Sequence, residues 1–225
     1  MSIRVVAVNA GLGDPSSTRL LVDRLVDAVI EDAARDELAV DVEVIDLRDH
    51  AVDIARSLTT GFAVGDVRGA VDAVHRADGL IVATPVFNAS YSGLFKSFFD
   101  LVEVDRMHGV PVVVAATGGS PRHSMVLDHA LRPLFAYLRA MVVPTGVYAA
   151  AQDWAGTSDD TALLSDRIRR AATELVVAVR PGHPLSAAGA PVHGARADVH
   201  DGRGGQSAKE AAGIANFAKL LGEQA

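Results

Sequence analysis

The chain has no cysteine among its 225 residues. Disulfide bridges, thiolate nucleophiles and cysteine-held zinc or iron–sulfur clusters are therefore excluded. Aromatic residues are scarce at 5%, with a single tryptophan. Positive charge is also short: 21 Lys and Arg stand against 28 Asp and Glu, a net −7. That balance argues against a nucleic-acid groove or an anionic membrane surface as partner. No apolar run approaches the ~20 residues needed to cross a bilayer. The opening M-S-I-R-V-V-A-V-N-A is too short in its apolar part for a secretory leader and reads as a first strand; the expected setting is the cytoplasm.

What is present is an ordinary globular mixture, 49% apolar and 22% charged, in a chain long enough for one α/β domain plus a tail. Runs rich in Val and Ile recur at 3–8, 41–46, 79–83, 110–116 and 141–148. The third and fourth are nearly continuous apolar segments, as expected of parallel strands covered on both faces. Helical patterns fall between and after them at about 17–36, 66–77, 92–104, 124–139 and 159–179. The alternation predicts right-handed crossovers and a doubly wound α/β fold. Five parallel strands in order 2-1-3-4-5 give a flavodoxin-like sheet, whose ligand sits at the carboxyl ends of the strands.

The pattern at 92–104 carries Leu94, Phe95, Phe98, Phe99, Leu101 and Val102, more than one helical face. It is read as a contact between copies of the chain, with a deeply buried internal helix as the alternative. After Arg180 the periodicity stops, so a domain over 1–180 is followed by an arm and short helix over 181–225. The arm is rich in Pro, Gly, Ala and His. The amphipathic stretch 207–222 is too short to be stable alone. His183, His193, His200, Asp198 and Asp201 lie in this tail without the tight spacing of metal ligands.

Three loops at strand ends are expected to converge on one rim. The first, N-A-G-L-G-D-P-S-S-T-R-L (9–20), has Gly11 and Gly13 for a tight turn and Ser16, Ser17 and Thr18 at a helix start. Backbone N–H groups and hydroxyls there suit a phosphate, or serve only to cap the helix. It lacks the G-K-[ST] element of a P-loop, and Asp46 lies too far along for a regular dinucleotide fingerprint. The second, T-P-V-F-N-A-S-Y (84–91), is stiffened by Pro85. Its backbone donors at 86–90 are expected to face a flat heteroaromatic, with Phe87 or Tyr91 over one ring face. The third, A-A-T-G-G-S-P-R-H (115–123), has Gly118 and Gly119 where a backbone must approach a planar ligand. Arg122 and His123 stand next to it, to meet negative charge or simply to sit at the surface.

The block T-P-V-F-N-A-S-Y-S-G-L-F-K-S-F-F-D-L-V, followed by P-V-V-V-A-A-T-G-G-S-P-R-H-S-M-V-L-D-H-A-L-R-P-L-F-A-Y-L-R-A, closely resembles the NADPH-dependent FMN reductase family over roughly residues 3–150. Its nearest branch looks like the reductases that supply reduced flavin to two-component monooxygenases. The resemblance implies hydride transfer from NADPH or NADH to flavin N5, a homodimer or homotetramer, and a partner monooxygenase. It places the FMN phosphate at Ser16, Ser17 and Thr18, with Gly11 in the same loop. The ribityl chain and ring edge lie along Pro85, Val86, Phe87 and Asn88, and the isoalloxazine meets Thr117, Gly118 and Gly119. Tyr91 is implied at a widened helical turn associated with flavin passage. No acid–base residue is assigned. A flavin-bound quinone or azo reductase and a non-enzymatic electron carrier on the same fold remain the alternatives.

Overall fold

A computed structural model of the chain describes residues 2–154 and 158–182; the expected helix at 207–222 lies outside them. Strands β1 (Ile3–Asn9), β2 (Val40–Asp46), β3 (Gly79–Phe87) and β5 (Pro111–Gly118) pair in parallel in the order β2-β1-β3-β5. The fifth position is shared by two short strands, β6 (Met141–Val142) and β7 (Val147–Ala150), both parallel to β5. The expected strand 141–148 is thus one strand interrupted at Pro144-Thr145-Gly146, and the sheet is the flavodoxin-like arrangement predicted. The break is braced: Glu174 accepts both the N–H and the hydroxyl of Thr145 at 2.7 Å.

Alternation along each strand sorts the core into two layers. Val6, Val8, Leu80, Val82, Val112 and Val114 face one side. There lie α2 (Ala51–Thr60), α3 (Val67–His75), α4 (Gly93–Phe99) and α5 (Arg132–Tyr137). Val5, Ala7, Ile81, Ala83, Val113 and Ala115 face α1 (Ser17–Arg35) and α6 (Ser158–Val179) on the other side. The helix α2 has no counterpart in the sequence reading, because only Ile54 and Ser57 of its ten residues are buried.

The stretch 84–91 differs from its expected form. Strand β3 runs on through Pro85 to Phe87 and folds back onto β4 (Ser90–Tyr91), pairing Val86 with Tyr91 and Phe87 with Ser90. Asn88 and Ala89 form the two-residue turn at φ 47° and 65°, the left-handed geometry that matches strand twist in tight hairpins. The backbone of 86–90 is therefore a hairpin, not an open row of donors. Thr84, fully buried, closes its base by accepting the Ser92 N–H at 2.9 Å. Ser92 in turn caps α4 by accepting the Phe95 N–H at 3.2 Å.

Helix α4 is shorter than expected, and its phenylalanines are consumed inside the protomer. Phe95, Phe98 and Phe99 are at most 1% exposed. Phe99 meets Phe95 and Phe135 at centroid distances of 4.7 and 5.0 Å, within the range of favourable aromatic pairs. The apolar excess at 92–104 is thus that of a buried internal helix. The expected helix 124–139 divides into a 3₁₀ turn (Pro121–Met125), a widened π turn (Leu127–Leu131) and α5. No helix among the described residues is long and apolar enough to cross a membrane.

Candidate functional site

The carboxyl ends of β1, β3 and β5 open on one side of the sheet. Between them lies a cleft of about 400 Å³ lined by Ser17, Pro85, Val86, Phe87, Thr117, Gly118, Gly119, Ala151 and Trp154. All three expected loops contribute to it. Its volume falls within the ~300–1,000 Å³ of small-molecule sites.

Helix α1 begins at the cleft because Ser16 is extended (φ −113°, ψ 119°) and its hydroxyl accepts the Arg19 N–H at 3.2 Å. Capping spends one acceptor lone pair and leaves the hydroxyl proton free to donate. No acidic residue stands in the first turn, so the partial positive charge of the helix end is not neutralised there. Ser17, exposed and first in the helix, lines the cleft. Thr18 does not: it is 2% exposed, and its hydroxyl pairs with that of Thr117 at 2.7 Å. This bond ties the start of α1 to the end of β5.

The remaining first-loop residues face elsewhere. Gly11, Gly13 and Ser16 line a neighbouring hollow of mixed charge, with Asp14, Asp23, Asp46 and Asp49 and also Arg19 and Arg48. Gly11 is fixed by packing, since a Cβ there would lie 2.1 Å from the Ser16 hydroxyl. Asp46 is held on both oxygens: Oδ1 accepts from Asn9 at 2.6 Å and Oδ2 pairs with Arg19. Arg19 is held above its ordinary pKa, first by its bond to Asp23.

On the opposite wall Phe87 is 47% exposed, an aromatic face left at the rim by the hairpin. Asn88 sits in the turn, outside the residues that line the cleft. Tyr91 packs towards the core against Phe95, 5.8 Å between centroids. It lies in β4, which packs against the widened helical turn at Leu127–Leu131 without belonging to it.

The floor comes from the end of β5. A Cβ on Gly119 would meet nothing within 4 Å, whereas one on Gly118 would lie 2.3 Å from the Tyr148 hydroxyl. One glycine leaves the cleft open and the other makes room for a side chain behind it. Arg122 and His123 lie on the exposed 3₁₀ turn, whose start Ser120 caps by accepting the Arg122 N–H at 3.3 Å.

Sequence reasoning missed Ala151 and Trp154, on a 3₁₀ turn directly after β7. The signal was available: the chain's only tryptophan follows a strand end at the same rim. Its ring carries the Arg24 guanidinium of α1 at 4.8 Å, a cation–π distance.

A parallel sheet in this order, with a cleft at its carboxyl rim beside a helix start that has no acidic residue in its first turn, defines a flavodoxin-like α/β protein. More narrowly, the chain belongs to the NADPH-dependent FMN reductase family, which it matches over residues 3–155. With that family it is an NAD(P)H:FMN oxidoreductase, using FMN and a reduced nicotinamide nucleotide. It is 39% identical to an FMN reductase (NADPH) of Pseudomonas aeruginosa over 169 residues, covering 75% of this chain and 88% of that one. It is 38% identical to the NADH-dependent FMN reductase SfnF of Pseudomonas fluorescens over 170 residues, 76% and 88% of the two. Among solved structures, an oxidoreductase of Corynebacterium diphtheriae superposes with a TM-score of 0.74 at 44% identity, covering 78% of this chain and 95% of that one.

Proposed function

We propose that the cleft between Ser17, the β3–β4 hairpin and Thr117–Gly119 is where this reductase holds FMN and brings reduced nicotinamide against it. The convergence of all three loops on one cleft carries the reading. The residues present fit the group. Gly119 leaves its side of the cleft free of side-chain atoms, Phe87 and Trp154 supply flat apolar surface, and the start of α1 offers donors to a phosphate. When bound, FMN supplies the redox chemistry, taking up a hydride from the nicotinamide at N5.

The chain's own part is to bind, orient and exclude water. Ser17 and the first-turn N–H groups hold the phosphate, while Pro85, Val86 and Phe87 give a stiff wall for the ribityl chain and ring edge. Thr117 and the two glycines set the floor. None of the nine lining residues titrates near neutrality, as suits a reaction needing alignment of two rings and no acid–base pair. His123 and Arg122, at the rim, are not assigned a part.

The reduced product is read as leaving for a separate flavin-dependent monooxygenase, as the resemblance to the monooxygenase-supplying branch implies, and the cytoplasmic setting expected from the composition is part of the same proposal. Assembly as a dimer or tetramer belongs to the same reading and rests on that resemblance, since the phenylalanines of α4 are satisfied within one protomer. The test is anaerobic oxidation of NADPH or NADH with and without added FMN, following the bleaching of flavin absorbance. Turnover that requires added FMN, and flavin lost on gel filtration, is expected. Flavin retained through gel filtration, with ping-pong reduction of quinones, would instead favour a quinone or azo reductase, and failure to oxidise either nucleotide an electron carrier.

A further inference from the structure

Tyr148 lies behind the cleft floor, 7% exposed, and is not among the residues that line it. It stands on β7 directly opposite Ala116 of β5. Residues 116 and 118 fall on one face of that ribbon by strand alternation, and Ser120 follows two residues beyond the strand's end. A diagonal neighbour two residues along is within reach of an aromatic ring. The ring uses that reach: its hydroxyl donates to the Ser120 carbonyl at 2.6 Å, and it fills the place that a Cβ on Gly118 would need. The same carbonyl accepts the His123 N–H at 3.1 Å, so Ser120 is gripped from the sheet and from the following turn.

We infer that Tyr148 is a positioning residue for flavin: its hydroxyl bolts the Thr117–Ser120 segment at the height where Gly118 and Gly119 form the cleft floor. The inference rests on the reading of the cleft as the FMN site. Gly118 and Tyr148 then form one size-matched pair, in which the missing side chain of one admits the phenol of the other. Burial, with a smaller contribution from Asp153, holds the phenol above its ordinary pKa, so it remains a donor at physiological pH.

The test uses the full-length protein with FMN titrated by fluorescence and steady-state kinetics with NADPH and with NADH. Tyr148→Phe removes only the hydroxyl. It is expected to raise the KM and Kd for FMN about three- to tenfold, the range of one neutral hydrogen bond, with kcat held within twofold. Gly118→Ala is expected to be far more damaging with Tyr148 present than in the Tyr148→Phe background, where the nearest remaining ring atom stands 3.3 Å from the new methyl. Gly119→Trp reads the cleft itself, since a side chain there enters open space. FMN binding lost in Gly119→Trp but unchanged in Tyr148→Phe overturns the inference alone, as does an equal cost of Gly118→Ala in both backgrounds. FMN binding unchanged in Gly119→Trp overturns the cleft reading and the inference with it.

Discussion

Ser17 and Thr18 are adjacent in sequence and opposite in circumstance, and their separate replacement tests where the flavin phosphate sits. Ser17→Ala alters an exposed side chain at the cleft. Its effect on stability should stay within about 0.5 kcal/mol, as for other surface changes. A hydrogen bond to a charged group contributes about 1.5–3 kcal/mol, so FMN should bind about ten- to a hundredfold more weakly. Riboflavin, lacking the phosphate, should lose less than about twofold on the same reasoning. Thr18→Val acts in the other currency. It deletes one member of the buried hydroxyl pair and strands the Thr117 oxygen, itself 3% exposed. An orphaned buried polar group costs about 1–3 kcal/mol, which in a domain of this size lowers Tm by roughly 3–10 °C. Both flavins should weaken together, because the floor and not a phosphate contact has moved. The assays are thermal unfolding and paired titrations with FMN and riboflavin. Equal loss of the two flavins in Ser17→Ala would refute the phosphate assignment. An unchanged Tm in Thr18→Val would refute the role given to the hydroxyl pair.

Two further outcomes follow from the same geometry. Trp154 is the only tryptophan and lines the cleft, so FMN should quench most of the intrinsic emission, saturating at one flavin per chain; emission indifferent to FMN would remove Trp154 from the site. His75 Nε2 accepts the Glu103 N–H at 3.0 Å, and burial lowers its pKa from the ordinary 6.5 despite the pull of Glu103. The neutral ring is the form the fold favours, so this contribution is complete above about pH 6.5 and is lost as pH falls through the depressed folded value. Tm should therefore fall on acidification less steeply in His75→Gln, whose amide oxygen can still accept, and an identical slope in both proteins would count against the assignment.

The parts of the fold legible in sequence were those where one force dominates. β3 over 79–84 and β5 over 111–117 are buried on both faces, and their nearly continuous Val, Ile, Leu and Ala runs leave little room for another reading. The 84–91 hairpin was missed for an equally specific reason. Its turn is Asn88-Ala89, without the glycine that usually announces left-handed turn geometry, and Pro85 looked like the end of a strand it in fact continues. The strand read as 141–148 hid its own interruption, because Pro144 and Gly146 sit among Val and Met. Of the residues named for the second and third loops, Pro85, Val86, Phe87, Thr117, Gly118 and Gly119 line the cleft and Asn88 and Tyr91 do not. Which members of S-S-T reach the cleft depends on helix rotation and on the partner across it, and neither is written locally. Trp154 was overlooked because the ribbon after the last strand carries no motif, only a rare residue in a telling place.

The broken fifth strand has a consequence for behaviour at high concentration. An outermost strand usually offers a continuous row of unused amide and carbonyl groups, an invitation for a neighbouring molecule to extend the sheet. Here the row is cut at Pro144, the Arg132 guanidinium donates to the Val143 and Pro144 carbonyls at 3.2 and 2.6 Å, and Glu174 covers the Thr145 amide. At the far margin β2 carries the exposed Asp41 and Glu43, whose like charges repel an incoming copy. Both borders of the sheet, among the described residues, are thus blunted against fibrous growth.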